Sequence, residues 1–393
     1  MIVKHHLLLI FLLTGCGAGA SGTNADLGTY PTADATPARD GAPSAIPYPV
    51  PDWATTTPAG AHLDPARLEK ARAYSESVGG LCLLVIRHGR IAYEAYYNGA
   101  SQTDQQKSWS MAKSFTSAAV GIALTRGEIK SVDDSAASYI PAWKGTNREP
   151  IKLRHLLDMV SGLQFDTLGD SLWTLFTKDM TAEALAKKVA DPPNTRYNYS
   201  NHDTQVFQAI LKNATGMEPD DYLRKYLWGP LGFQPTTLWG KDPTGHTTMF
   251  MGIEASCRDY ARFGYFWLHK GNWNGLSIVR PEYVAETLAP SSAVNAGHSH
   301  YWWLNGYTPY INSQNSQGST SVPMFPDAPA DLFSAQGLGQ NFIDVIPSTD
   351  TIYVHTRPAP KMDGSQIGPL LNDGKMVEHR EVLRLLLAAD LPP

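Results

Sequence analysis

The chain of 393 residues has little cysteine, little charge and no basic tract. Its 3 cysteines are Cys16, Cys82 and Cys257, and no C-x-x-C occurs, so nothing argues for a metal ribbon or a dithiol redox centre. Charged residues make up 18% and the formal net charge is -5, with no basic stretch suited to nucleic acid. The apolar run Leu7 to Leu13 falls well short of the roughly 20 residues that a membrane-spanning helix needs. Gly337-Leu338-Gly339 is not a phosphate loop, because no Walker lysine or G-x-G-x-x-G accompanies it. No G-x-S-x-G elbow is present either, which counts against an α/β-hydrolase.

The N-terminus carries an address. Lys4 precedes the short apolar core, which ends in Leu13-Thr14-Gly15-Cys16. This resembles the lipobox of bacterial lipoproteins and implies a cleaved signal over residues 1–15 with lipidation at Cys16. Residues 16–58 are rich in Ala, Gly, Pro, Thr, Ser and Asp without periodicity, and read as a flexible tether. The expected location is the cell envelope, with the protein held to a membrane through its lipid. Cys82 and Cys257 could pair in an oxidising compartment. Cys82 lies in the apolar run Leu81 to Ile86, so a buried free thiol is an equal expectation.

Residues 59–393 are expected to form one domain. Asp64-Pro65 opens a helix to about residue 77. Leu81 to Ile86 and Arg90 to Tyr97 read as strands joined at His88-Gly89. Helical periodicity then dominates from about residue 110 to 270. Strands return at Leu332 to Gln336, Asn341 to Ile346 and Thr351 to His355, before a last helix near residues 375–389. The pattern predicts an α+β fold: one antiparallel sheet built from both ends of the chain, flanked by terminal helices, with an all-helical insertion.

Ser110-Met111-Ala112-Lys113 sets a hydroxyl and an amine three residues apart at the start of a helical pattern. Positions i and i+3 share a helix face, so Lys113 can reach back to Ser110. A serine needs a base to become a nucleophile, and a lysine can serve once burial lowers its pKa. Downstream stands Tyr199-Ser200-Asn201. Together these motifs resemble the serine hydrolases of the class C β-lactamase and D,D-peptidase type. Leu153 to Leu163, Pro230-Leu231-Gly232-Phe233 and Asp259 to Gly264 are similar to further segments of that family. The resemblance runs over about residues 60 to 390 and is nearest the esterase and 6-aminohexanoate-dimer hydrolase branch.

The resemblance implies an acyl-enzyme on Ser110, with Lys113 and Tyr199 handling the proton. Which of the two is the base stays open. Asn201 would orient Lys113 and meet the substrate carbonyl. The N–H groups of Ser110 and Leu338 would form the oxyanion hole, with Gly337 beside them. No cofactor or metal is called for. The family's third motif often carries Lys or His where this chain has Ala335, in Ala335-Gln336-Gly337. That departure disfavours substrates with a carboxylate and points to a neutral ester or amide. A β-lactamase, a D,D-carboxypeptidase or a non-catalytic envelope-binding protein remain the alternatives. His298-Ser299-His300 reads as a polar loop, since no third ligand with helical spacing accompanies it. Tyr301-Trp302-Trp303 and Trp173 read as core first and as acyl-pocket walls second.

Overall fold

The computed structural model describes residues 47–166, 170, 177–313, 318–358 and 377–391. The signal, Cys16, the first part of the tether and Trp173 lie outside these described residues. Among the described residues the strands are β1 (Ala54–Thr55), β2 (Cys82–Arg87), β3 (Arg90–Tyr96), β4 (Gln106–Lys107), β5 (Leu238–Trp239), β6 (Ile253–Ala255), β7 (Asn272–Trp273), β8 (Leu276–Ser277), β9 (His298–Ser299), β10 (Trp302–Leu304), β11 (Phe333–Gly337), β12 (Asn341–Ile346) and β13 (Thr351–Thr356). The helices used below are α1 (Pro65–Ser77), α2 (Ala112–Thr125), α3 (Leu153–Leu157), α4 (Met180–Ala186), α5 (Asn201–Thr215), α6 (Cys257–Leu268), α7 (Pro281–Thr287) and α8 (Val377–Leu387).

Eight strands form the main sheet in the order β1-β3-β2-β13-β12-β11-β10-β9. All pairings are antiparallel except β1 with β3. The two ends of the chain meet at β2 and β13, from Cys82 opposite Thr356 to Arg87 opposite Thr351. Both faces are covered, which is why β2 and β12 are buried along their whole length. One face carries Leu84, Ile86, Ile343, Val345 and Ile352 into a core shared with α2 and α6. The other carries Leu83, Val85, Phe342, Ile346 and Tyr353 against Leu68 of α1 and Val382 and Leu386 of α8. The period-two alternation of strand side chains sorts them so. Gly264 lets α6 sit close to the sheet: a Cβ there would come within 2.8 Å of Ile343 and 3.0 Å of Ile352.

Three expectations change. The span 110–270 is mostly but not wholly helical. It holds β5 and β6, which join β4 in a three-stranded sheet of order β4-β6-β5. Strands of 2 or 3 residues leave no readable periodicity. The last helix of that span, α6, belongs with the main sheet. The tether also ends earlier than residue 58. Trp53 is buried, its Nε1 donates to the Arg258 carbonyl at 3.3 Å, and Ala54 and Thr55 pair with Arg90 and Ile91. One aromatic and one short pairing inside a Pro-rich stretch gave composition nothing to detect. Cys82 and Cys257 are joined as a disulfide that ties β2 to the first residue of α6.

Candidate functional site

Ser110 sits in a single 3₁₀ turn, Trp109–Met111, that runs directly into α2. Trp109 takes a positive φ of 47° in the left-handed region, which costs a non-glycine residue about 1–2 kcal/mol. Ser108 holds the turn in that shape. Its N–H donates to the Ile253 carbonyl at 2.8 Å, and its Oγ accepts the Ile253 N–H at 3.1 Å. The pairing of β4 with β6 extends this clamp through Gln106 and Lys107. The small sheet that periodicity missed is therefore what aims the serine.

Behind the turn, α2 is buried from Ala112 to Leu124. Lys113, 1% exposed, is enclosed with it. Its Nζ lies 2.9 Å from Ser110 Oγ, 2.7 Å from Asn201 Oδ1 and 3.5 Å from the Phe250 carbonyl oxygen. Burial pushes the Lys113 amine down from 10.5 to about 7, against the opposing pull of the Asp170 carboxylate. The folded chain thus binds fewer protons at Lys113 than the unfolded chain between about pH 7 and 10.5. Its burial costs stability in full below about pH 7, and that cost fades as pH rises through the window. An amine poised near neutrality in contact with a hydroxyl can take its proton.

Tyr199, Ser200 and Asn201 form the entry to α5. Ser200 is the N-cap, its Oγ accepting the Asp203 N–H at 3.1 Å, and Asn201 is the first helical residue. Tyr199, just outside the cap, is half-buried. Lys113 Nζ lies 4.7 Å from the centre of its ring, and Trp303 of β10 stacks on it at 5.6 Å. Within α5, burial pushes the Asp203 carboxyl up to about 8 while Ser161 donates to it at 2.9 Å.

On the other side, β11 runs past the turn that carries Ser110. A Cβ on Gly337 would lie 2.3 Å from the Ser108 carbonyl oxygen, 3.1 Å from Trp109 Cβ and 3.2 Å from the Ser110 nitrogen. Only the absence of a side chain allows the strand to approach so closely. Leu338 follows at the end of the strand, its carbonyl accepting from Asn341 Nδ2 at 2.6 Å. Ala335 shares its face with Gly337 by alternation and is fully buried. The structure therefore gathers Ser110, Lys113, Tyr199, Asn201 and Gly337 around one spot, with Ala335 behind.

His298-Ser299-His300 is not a polar loop: His298 and Ser299 form β9, and both histidines are buried. His298 packs on Trp303 with ring centres 4.8 Å apart, and burial holds it neutral, down to about 3. The His300 N–H donates to Asp158 Oδ1 at 2.9 Å. Trp302 is core, stacked on Phe263 at 5.8 Å, while Trp303 reaches the site through Tyr199. Asp179, Asp242 and His246 offer ligand atoms within 4.8 Å of one another. Asp242 spends its oxygens on the N–H groups of Met180, Thr244 and His246, so this cluster reads as a clamp on the start of α4. Sequence reasoning missed Asp170, Ser108 and the Phe250 carbonyl. None lies at a spacing that a motif could flag, because folding alone brings them to Lys113 and its turn.

The β-lactamase family model matches residues 66–357. A 6-aminohexanoate-dimer hydrolase of Paenarthrobacter ureafaciens is 23% identical over 250 residues, covering 57% of this chain and 64% of that protein. A β-lactamase of Pseudomonas fluorescens is 27% identical over 175 residues, covering 42% of this chain and 47% of the other. The matches thus span less than two thirds of these relatives' lengths. A candidate 6-aminohexanoate-dimer hydrolase from Bacillus anthracis shares the fold with a TM-score of 0.66 at 17% identity, over 88% of this chain and 90% of that one. So does the hydrolase EstCE1, with a TM-score of 0.59 at 15% identity, over 81% of this chain and 97% of the other. A split antiparallel sheet, a serine–lysine pair opening the first buried helix and a match along most of the folded region together make this chain a member of the β-lactamase family.

Proposed function

We propose that the protein is a serine hydrolase that cleaves a neutral ester or amide through an acyl-enzyme on Ser110. One observation carries the reading: the buried Lys113 amine, down to about 7, contacts Ser110 Oγ at 2.9 Å. Lys113 takes the hydroxyl proton as the oxygen attacks the acyl carbon. The charge that develops on the carbonyl oxygen meets the N–H groups of Ser110 and Leu338. Collapse expels the alcohol or amine, which receives the proton through Tyr199, and water then releases the acid by the reverse path. Names of relatives as hydrolases support the class of reaction.

The neutral substrate follows from what flanks Tyr199. Beyond Lys113, its ring neighbours among the described residues include Trp303 and a neutral His298, and Ala335 stands where relatives often carry a cation. A charge-assisted hydrogen bond to a substrate carboxylate is worth about 1.5–3 kcal/mol. Without it, p-nitrophenyl butyrate is expected to exceed nitrocefin in kcat/KM by roughly tenfold or more. The ester rate should fall as pH drops through about 7, where Lys113 gains its proton. Faster turnover of nitrocefin than of the ester would restore the β-lactamase reading. A rate flat across neutral pH would remove Lys113 as the base.

The envelope location is part of the same proposal. The Cys82–Cys257 disulfide suits an oxidising compartment, and Gly15-Cys16 suits lipidation. Cys16→Ser is expected to move the protein from the membrane fraction to the soluble fraction. Wild-type protein found soluble with Cys16 unmodified would end the anchor hypothesis.

A further inference from the structure

The side-chain amide of Asn201 stands between two groups that no motif links. Its Oδ1 accepts from Lys113 Nζ at 2.7 Å, and its Nδ2 donates to the main-chain carbonyl of Asp170 at 3.2 Å. The Asp170 carboxylate closes the loop from the other side. Each of its oxygens accepts the Asn201 N–H at 3.0 Å, and Oδ1 also accepts the His202 N–H at 3.3 Å, meets His202 Nδ1 at 2.6 Å and accepts Ser200 Oγ at 3.5 Å. Asp170 is 5% exposed. It thus occupies the N-terminus of the 15-residue helix α5, where unpaired N–H groups and the helix dipole favour a negative charge.

Building on the hydrolase reading, we propose that Asp170 is a positioning residue of the site: it fixes the Asn201 amide in the orientation that receives Lys113 and sets a buried negative charge behind the Lys113 amine. An asparagine amide has an accepting end and a donating end. Turned round, it would present its NH₂ to the Lys113 amine and leave Lys113 short of an acceptor. The Asp170 carbonyl can only accept, so it claims Nδ2 and leaves Oδ1 for the lysine. The carboxylate holds the backbone of the same residue, so both halves of Asn201 are held by Asp170.

The charge has a second effect. Burial drives the Lys113 amine toward its neutral form, and Asp170 works against this. Among the described residues, other titratable groups pack near the pair. Tyr199 faces Lys113 from the entry to α5, and His298 faces it from β9 as a neutral ring. Asp203, on α5, has its carboxyl pushed up to about 8, chiefly by burial and in part by Asp170. Glu183 of α4 reaches His202 Nε2 at 3.5 Å, at the other nitrogen of the ring that meets Asp170. Asp170 is the carboxylate whose charge raises Lys113, so its removal should leave the amine neutral to lower pH.

The test compares the full-length wild type with Asp170→Asn and Asp170→Glu. The kcat/KM for p-nitrophenyl butyrate is titrated from about pH 5 to 9. The ¹³Cε shift of Lys113 is titrated in the Ser110→Ala background, where no turnover is needed. For Asp170→Asn both midpoints are expected to fall by about one pH unit, with kcat down about tenfold. Asp170→Glu should return the midpoints to within a few tenths of the wild type. If asparagine does not fold there, Asp170→Ser supplies a hydroxyl acceptor for the α5 N–H groups and gives the same comparison. A folded neutral variant with an unmoved or raised Lys113 midpoint overturns the proposal. A lowered NMR midpoint for Asp170→Asn, together with no ester turnover by the wild type carrying Ser110, would uphold Asp170 and defeat the hydrolase reading instead.

Discussion

Ser110→Ala is expected to lower kcat/KM for p-nitrophenyl esters on the order of 10⁴-fold or more and to abolish labelling by fluorophosphonates. The effect is large because, among the described residues, the proposed nucleophile is the hydroxyl in contact with Lys113. The 2.9 Å contact to Lys113 Nζ belongs to the Ser110 hydroxyl, and the turn that aims it is built around that one residue. The fold should survive. Ser110 is only half-buried, and its hydroxyl contributes about 0.5–1.5 kcal/mol through that hydrogen bond with the amine neutral. Lys113 keeps Asn201 and the Phe250 carbonyl as acceptors. Thermal unfolding of the variant should therefore lie within a few degrees of the wild type. An Ala variant with wild-type esterase rates would assign the chemistry to another residue and end the mechanism proposed above.

Gly337→Ala should cost about 10²- to 10³-fold in kcat while leaving KM much closer to its original value. Here the cause is space, not backbone conformation. The new Cβ would meet the Ser108 carbonyl oxygen at 2.3 Å, a backbone atom that cannot swing aside. Either β11 or the nucleophile turn must retreat. The turn is held by both hydrogen bonds between Ser108 and Ile253, so the strand is expected to give. That movement carries Leu338 N–H away from the place where the oxyanion is proposed to form. Donors matter for the transition state more than for the bound substrate, hence the split between kcat and KM. Crystals or amide-exchange data showing an unmoved β11 together with full activity would refute this account of the strand.

The sheet and the Ser110–Lys113 contact were legible because their signals are local. Leu81 to Ile86 is an apolar run between turn residues, and the structure places β2 one residue later at Cys82–Arg87. Asn341 to Ile346 is β12 as read. Ser110 and Lys113 are linked by helical spacing, which their 2.9 Å contact bears out. Other features depend on contacts between distant residues. Ser108 and Ile253 are 145 residues apart, and their pairing needs strands too short to show alternation. Asp170 lies 31 residues before Asn201 in a stretch with no periodic cue. His298 and His300 looked exposed because two histidines around a serine are polar by composition. Burial at the sheet edge under Trp303 and Tyr283 is a tertiary decision.

The seam between β2 and β13 also sets the order in which the molecule can come alive. Cys82 and Thr356, partners across it, are 274 residues apart. A chain emerging N-terminus first can close the β2–β3 hairpin early, but that hairpin keeps an unpaired apolar edge until the last strands arrive. Contacts this distant in sequence are slow to form, and an exposed strand edge invites association in the meantime. The same delay protects the surroundings. Ser110 and Lys113 are made long before β11, so a partly finished chain holds both side chains but neither the burial that lowers the Lys113 amine nor the strand proposed to receive the oxyanion. Assembly of the sheet, rather than removal of an inhibitor, is what would switch the chemistry on.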